Sequence, residues 1–127
     1  MSYLKPEPPP KNNGSHEVWP LVGAMIKSWF GLNLRQWDSH IDLLLGDMEA
    51  RDQQGREKYG VPLQLHNGRD ALTDAYQEAL DLCVYLCQHI FEHSFGDLPK
   101  SHMEMFWKAV MVAADIRKVL AERDGEL

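Results

Sequence analysis

The chain has 127 residues, 44% of them hydrophobic and 25% charged, which suits one domain with a core of its own. Its 13 Lys and Arg stand against 19 Asp and Glu, and a net charge of −6 argues against a surface for nucleic-acid polymers. No apolar run reaches the roughly 18 residues of a membrane span and the first residues carry no apolar signal core, so the expected compartment is the cytoplasm, without membrane contact.

Residues 1–15 (MSYLKPEPPPKNNGS) hold four of the seven prolines and an Asn-Asn-Gly turn signal. They read as a flexible, Pro-rich arm without a core pattern. Residues 16–127 read as a single all-α domain. From Glu17 to Phe30, the residues Val18, Trp19, Val22, Met25, Ile26 and Trp29 recur at helical spacing. Pro20 suits a first turn, where its missing N–H costs nothing, and Gly31 reads as the stop.

The second helix is expected to begin near Asn33 or Leu34 and to run to about Gln54. Trp37, Ile41, Leu44, Leu45 and Met48 form its apolar stripe. Glu49 and Asp52 stand four residues after Leu45 and Met48, so they extend that stripe and do not lie opposite it. Acids there are costly unless they are paired or bound to metal. The connection over residues 55–69 gathers Arg56, Lys58, Tyr59, His66, Asn67 and Arg69, and its first residues are open to continuing the helix. Loops of this length are often functional.

Asp70 opens the strongest helix, which runs to Glu92 or His93. Its middle (Leu80, Leu82, Cys83, Val84, Leu86, Cys87, Ile90) is apolar nearly all round, and such a helix is buried on more than one side. In a chain this short the second side is most simply covered by another subunit. Only the stripe of Asp74, Glu78 and Asp81, with Tyr85 four beyond, breaks the apolar coat. Cys83 and Cys87, one turn apart, read as small buried residues. After a turn over residues 93–98, Pro99 sits in a first turn with Ser101 and Glu104 spaced as a capping box. The last helix carries Met103, Phe106, Trp107, Val110, Met111, Ala114 and Val119 up to about Arg123, as core or subunit interface. No strand pattern and no repeat compete, and the fold class is all-α, a bundle of four main helices.

Two acid pairs carry the chemistry. Glu49 and Asp52 are three apart, as are Glu78 and Asp81, and that spacing places each pair on one helix face. Two such pairs facing across a helical hairpin offer four carboxylates to a hard cation such as Mg²⁺, with the phosphates of a nucleotide to complete the shell. Spacing alone leaves open both a metal site and solvated or salt-bridged acids. Trp29 and Trp37 have the surface to stack a base, but core packing is the simpler account of each. The six histidines show no spacing that makes a site, and no E-x-x-H pair accompanies the acids, against a ferritin-like di-iron bundle.

The pattern Glu49-Ala-Arg-Asp52, a gap, then Glu78-Ala-Leu-Asp81 resembles the E-x-x-E…E-x-x-D signature of the all-α nucleoside triphosphate pyrophosphatases. That is the MazG-like superfamily, which includes the dimeric dUTPases. The stretch REKYGVPLQLHNGRDALTDAYQEALDLCVYL is also similar to phage-type and bacterial members, and the resemblance covers about residues 41–92. One departure stands out: where members carry two adjacent glutamates and a third three on, this chain has Met48, Glu49 and Asp52.

The resemblance implies a MazG-type, oligomeric fold and hydrolysis of a (d)NTP between the α and β phosphates to (d)NMP and pyrophosphate. It implies Mg²⁺, with Mn²⁺ as a substitute, held by Glu49, Asp52, Glu78 and Asp81. Asp52 or Glu49 would be the general base. Lys58 and Arg69 would steady phosphate charge, with Asn67 and Tyr85 as further substrate contacts. The partners implied are the nucleoside triphosphate and further copies of the chain, as homodimer or homotetramer. Two other readings fit the residues. The altered first motif suits a nucleotide-binding or sensing module without turnover, and the apolar third helix suits a structural oligomerisation protein.

Overall fold

A computed structural model describes residues 2–32, 38–93 and 98–126. Its regular structure is helical: α1 (Val18–Leu32), α2 (Ser39–Tyr59), α3 (Ala71–Glu92) and α4 (Lys100–Arg123), with a short 3-10 turn over Ser2–Leu4. Among the described residues the only β pairing is an isolated bridge between Glu17 and Gln64, and the class is all-α. No helix among them is long and apolar enough to cross a membrane. The chain divides into two compact units, one of residues 1–7 with 70–127, the other of residues 8–69.

In the first unit α3 and α4 form a hairpin whose seam is lined with small residues. Ala79 on α3 and Ala109, Ala113, Leu120 and Ala121 on α4 are buried. Alanine lets helix backbones approach closely, and the residues of α4 that face inward recur at helical spacing. That buried line runs beside the expected one. Phe106 and Val110 are half-buried, whereas Met103, Trp107, Met111 and Val119 are exposed. On α3, likewise, Leu82, Val84 and Tyr85 are exposed within the chain.

The two ends of the hairpin are closed by polar contacts. At the open end Asp70 caps α3, its Oδ1 accepting from the N–H groups of Leu72 (3.2 Å) and Thr73 (3.3 Å). Its other oxygen accepts from the Thr73 hydroxyl at 2.8 Å and pairs with Arg123 of α4 at 2.9 Å. Beside this clamp Tyr3 is buried, edge-on to Tyr76 with ring centroids 6.4 Å apart and with the Arg117 guanidinium over its face. The Tyr3 hydroxyl lies 2.7 Å from Asp124 Oδ2 and 2.8 Å from Glu126 Oε1. Gln77 donates to the carbonyls of Tyr3 and Lys5, so the first residues of the arm run along α3.

In the second unit the rest of the arm pairs with the connection after α2. Leu65 N–H donates to His16 O and Val18 N–H to Leu63 O, while Asn13 donates its side-chain amide to Leu65 O and His66 O. α2 extends through Arg56 to Tyr59, and Gly60 (φ 73°) ends it in the left-handed conformation that glycine adopts without strain.

Three helix boundaries differ from expectation. α1 continues through Gly31 to Leu32. α2 is capped by Asp38, whose carboxylate accepts from His40 and Ile41 N–H, so it starts at Ser39; the expected start at Asn33 or Leu34, like Trp37, lies outside the described residues. Pro99 occupies the cap position of α4 rather than its first turn, and no side chain caps this helix, so the Ser101–Glu104 capping box is not formed. Residues 94–97 of the expected turn are also outside the described residues.

Burial pushes the Asp70 carboxyl up, but the Thr73 hydroxyl and N–H and the Arg123 guanidinium outweigh it and hold it below the usual carboxylate value. A lowered folded pKa stabilises the fold above the unfolded carboxylate value, about 4, and that contribution is lost as pH falls through the folded pKa. Asp70→Asn keeps a cap acceptor and removes the charge. In urea titrations its stability deficit against the wild type is therefore expected to be full at pH 7 and to shrink below about pH 4. Asp70→Ala, which also loses the cap, is expected to cost about 1 kcal/mol more.

Candidate metal and phosphate site

The acids of the first pair stand where the helical period puts them. On α2 the residues Leu45, Met48, Glu49 and Asp52 share one face, and on α1 Trp19, Pro20, Gly23 and Lys27 share another. Together they line a cleft of about 300 Å³ within the second unit. Its apolar lining comes from Trp19, Pro20, Leu45 and Met48, and its polar groups are two carboxylates and one ammonium. That volume lies at the small end of ligand pockets, and an apolar wall with a few polar groups is their usual composition.

Asp52 and Glu49 differ in their surroundings. The Asp52 side chain is only 14% exposed and accepts from Arg56 Nε at 3.1 Å, one turn further along α2. Arg56 also pairs with Glu17, just before α1, so one guanidinium joins the start of α1 to the end of α2. A carboxylate this close to an apolar stripe is costly alone, and Arg56 offsets that cost. Glu49 is exposed, and among the described residues no ion pair or hydrogen bond engages it.

The other expected site residues take separate places. Glu78 and Asp81 stand on the exposed side of α3 in the first unit, again without an ion pair among the described residues, and Tyr85 is 64% exposed one turn on. Lys58, Asn67 and Arg69 belong to the second unit but do not line the cleft. The Lys58 ammonium lies over the Tyr59 ring, 5.1 Å from its centroid. Arg69 donates to the Pro8 carbonyl at 2.7 Å. Asn67 is buried and turns the loop, its side-chain oxygen accepting from Arg69 N–H at 3.1 Å.

Sequence reasoning missed Lys27 and Trp19 as cleft residues. Both lie on one face of α1, eight apart, and only the packing of α1 against α2 brings them to the acids. Arg56 was visible as one of a group of loop cations, but its pairing with Asp52 follows from the continuation of α2.

The donor set of the two pairs is carboxylate oxygen throughout, which suits Mg²⁺ and not a soft metal. Each unit supplies two of the four acids, and within either unit no three His, Cys, Asp or Glu among the described residues form a group that could hold a metal ion. No protein-family model, curated protein or solved structure matches the chain.

Arg56 offers a direct test of how the cleft is held. Arg56→Ala is expected to lose roughly 1–2 kcal/mol in urea unfolding, between the values of exposed and buried ion pairs. Arg56→Lys should recover only part of this, because an ammonium cannot hold two carboxylates with the fixed fork of a guanidinium.

Proposed function

We propose that the chain is a Mg²⁺-dependent nucleotide pyrophosphohydrolase of the MazG-like type. It cleaves a (d)NTP between the α and β phosphates to (d)NMP and pyrophosphate. The observation that carries this reading is the cleft in which Glu49 and Asp52 stand beside the ammonium of Lys27 and the indole of Trp19. Carboxylates that hold a metal, a cation for phosphate and an aromatic wall are the groups a nucleotide triphosphate calls for.

Glu49 and Asp52 are the ligands that the cleft offers, the resemblance implies Glu78 and Asp81 as the further pair, and Glu49, Glu78 and Asp81 carry no ion pair among the described residues that binding would have to break. Mg²⁺, when bound, neutralises triphosphate charge and acidifies the attacking water. Asp52 or Glu49 takes the proton of that water. Asp52 is held in place by Arg56, whereas Glu49 is free to turn toward a ligand. Lys27 offsets phosphate charge within the cleft, and Lys58 and Arg69, with Asn67 and Tyr85, serve the parts of the substrate beyond it. The enzyme works in the cytoplasm as a homodimer or homotetramer, with the exposed apolar residues of α3 and α4 at the subunit contact.

The test is a panel of the common NTPs and dNTPs, dUTP included, with products resolved by chromatography. Monophosphate and pyrophosphate are expected, only with Mg²⁺ or Mn²⁺. Glu78→Gln and Glu49→Gln are expected to lower kcat by at least ~10²-fold with helix content unchanged by circular dichroism. Diphosphate and orthophosphate would place the cleavage elsewhere, and binding of a triphosphate without any product would make the chain a nucleotide-binding module.

A further inference from the structure

The cleft between α1 and α2 has a direction, and its two ends differ in charge. On α1 the residues Trp19, Gly23 and Lys27 follow one another at steps of four. One helix face therefore carries an indole and, about 12 Å further along the axis, an ammonium. α2 runs the opposite way beside it. Arg56 near the end of α2 pairs with Glu17 just before α1, and Val18 N–H donates to Leu63 O beyond the end of α2. The end of α2 thus stands level with the start of α1. Asp52 lies toward Trp19, Glu49 nearly one turn closer to the middle, and Leu45 with Lys27 at the far end.

The order along the cleft is indole, carboxylates, ammonium. At the indole end Asp52 and Glu17 share the Arg56 guanidinium, two negative charges against one positive, so a polyanion placed there is repelled. At the other end Lys27 is exposed, and among the described residues it makes no ion pair or hydrogen bond. It is the only cation among the described residues that line the cleft. Between the ends Gly23 leaves the wall open, since a Cβ there would meet nothing within 4 Å.

These ends fit the two halves of one molecule. A base stacks on an indole face, and an exposed ammonium suits a terminal phosphate. An extended nucleoside triphosphate is comparable in length to the span between them. The reverse orientation would set the phosphate tail against Glu17 and Asp52, and the base against Lys27 and Leu45.

We propose that the nucleotide lies along α1 with its base on Trp19 and its β and γ phosphates at Lys27, so that Lys27 holds the leaving pyrophosphate and selects triphosphates over diphosphates. This orientation rests on the pyrophosphohydrolase reading above, which by itself leaves it open. In the reaction a water oxygen bonds to the α phosphorus, and the bond from that phosphorus to the α–β bridging oxygen breaks. The electron pair stays on the bridging oxygen, which leaves as part of pyrophosphate, and the water proton passes to Glu49 or Asp52. Charge that develops on the leaving group spreads over the β and γ phosphates, where Lys27 meets it. A diphosphate has one phosphate fewer to reach the ammonium.

Calorimetry on the full chain in millimolar Mg²⁺, with inorganic pyrophosphate and the common NMPs and dNMPs as separate probes, reads the two ends apart. Lys27→Ala is expected to weaken pyrophosphate by about 10-fold and to leave the monophosphates unchanged, and Lys27→Arg to restore most of the loss. Trp19→Ala is expected to do the reverse, weakening the monophosphates by about 10-fold. In turnover, the ratio of kcat/KM for a dNTP to that for its dNDP should fall at least ~10-fold in Lys27→Ala, with helix content unchanged. Turnover of dNTPs with pyrophosphate binding indifferent to Lys27, or weakened by Trp19→Ala instead, would overturn the orientation and leave the hydrolase standing. A wild type that turns over dNTPs but binds no pyrophosphate, or no monophosphate, would do the same. No turnover of any nucleotide would overturn the hydrolase, and the leaving-group role of Lys27 with it.

Discussion

The α3–α4 hairpin rests on the small residues of its seam. Ala79, Ala109 and Ala113 give up hydrophobic area to let two backbones come close, and closeness is what the polar contacts at both ends then require. Asp70 reaches Arg123 at one end, and His89 reaches His102 at the other. A larger side chain in the seam would push the helices apart and forfeit both contacts together, since packed interiors yield little. Tyr3 depends on the same seam. Its ring stands edge-on to Tyr76 beneath the Arg117 guanidinium, and its hydroxyl finds Asp124 and Glu126 only because α4 ends there.

In the second unit the governing constraint is electrostatic. An acid that continues an apolar stripe has to find a partner, and Asp52 has Arg56. The same guanidinium reaches Glu17, so charge compensation and the placing of α1 are one interaction. The cleft follows from it: Gly23 and Pro20 leave room on α1, and the face of α2 that carries Glu49 and Asp52 closes the other side. Glu49 is exposed, is solvated by water and has no ion pair among the described residues, so nothing has to be broken for a cation to reach it.

Helices were readable because the apolar period is a local property. Pro20, Asp70 and the run through Tyr85 announced their elements, and α2 passes into the cationic stretch as Arg56 to Tyr59 allowed. Faces were harder. Met103, Trp107, Met111 and Val119 read as core or subunit interface on hydrophobicity, and within the chain it is the alanines beside them that form the seam. Alanine carries little hydrophobic signal, so the stripe read from the sequence includes Ala114 and passes over Ala109 and Ala113, which are buried, and what selects between them is the distance between backbones. The capping box at Ser101 and Glu104 failed for a local reason: Pro99 took the cap position, so Ser101, two residues on, lies inside the first turn and not at the cap.

By itself the sequence determined the helices, the all-α class and the sharing of a face within each acid pair. Hydrogen bonds four residues apart fix those relations whatever lies around them. Tertiary structure alone decided that Lys27 and Trp19 join Glu49 and Asp52, that Tyr3 belongs to the end of α4, and that His102 meets His89. Those meetings depend on which helix faces approach, and that is set by the fit of side chains across a seam, a relation no single stretch of sequence contains.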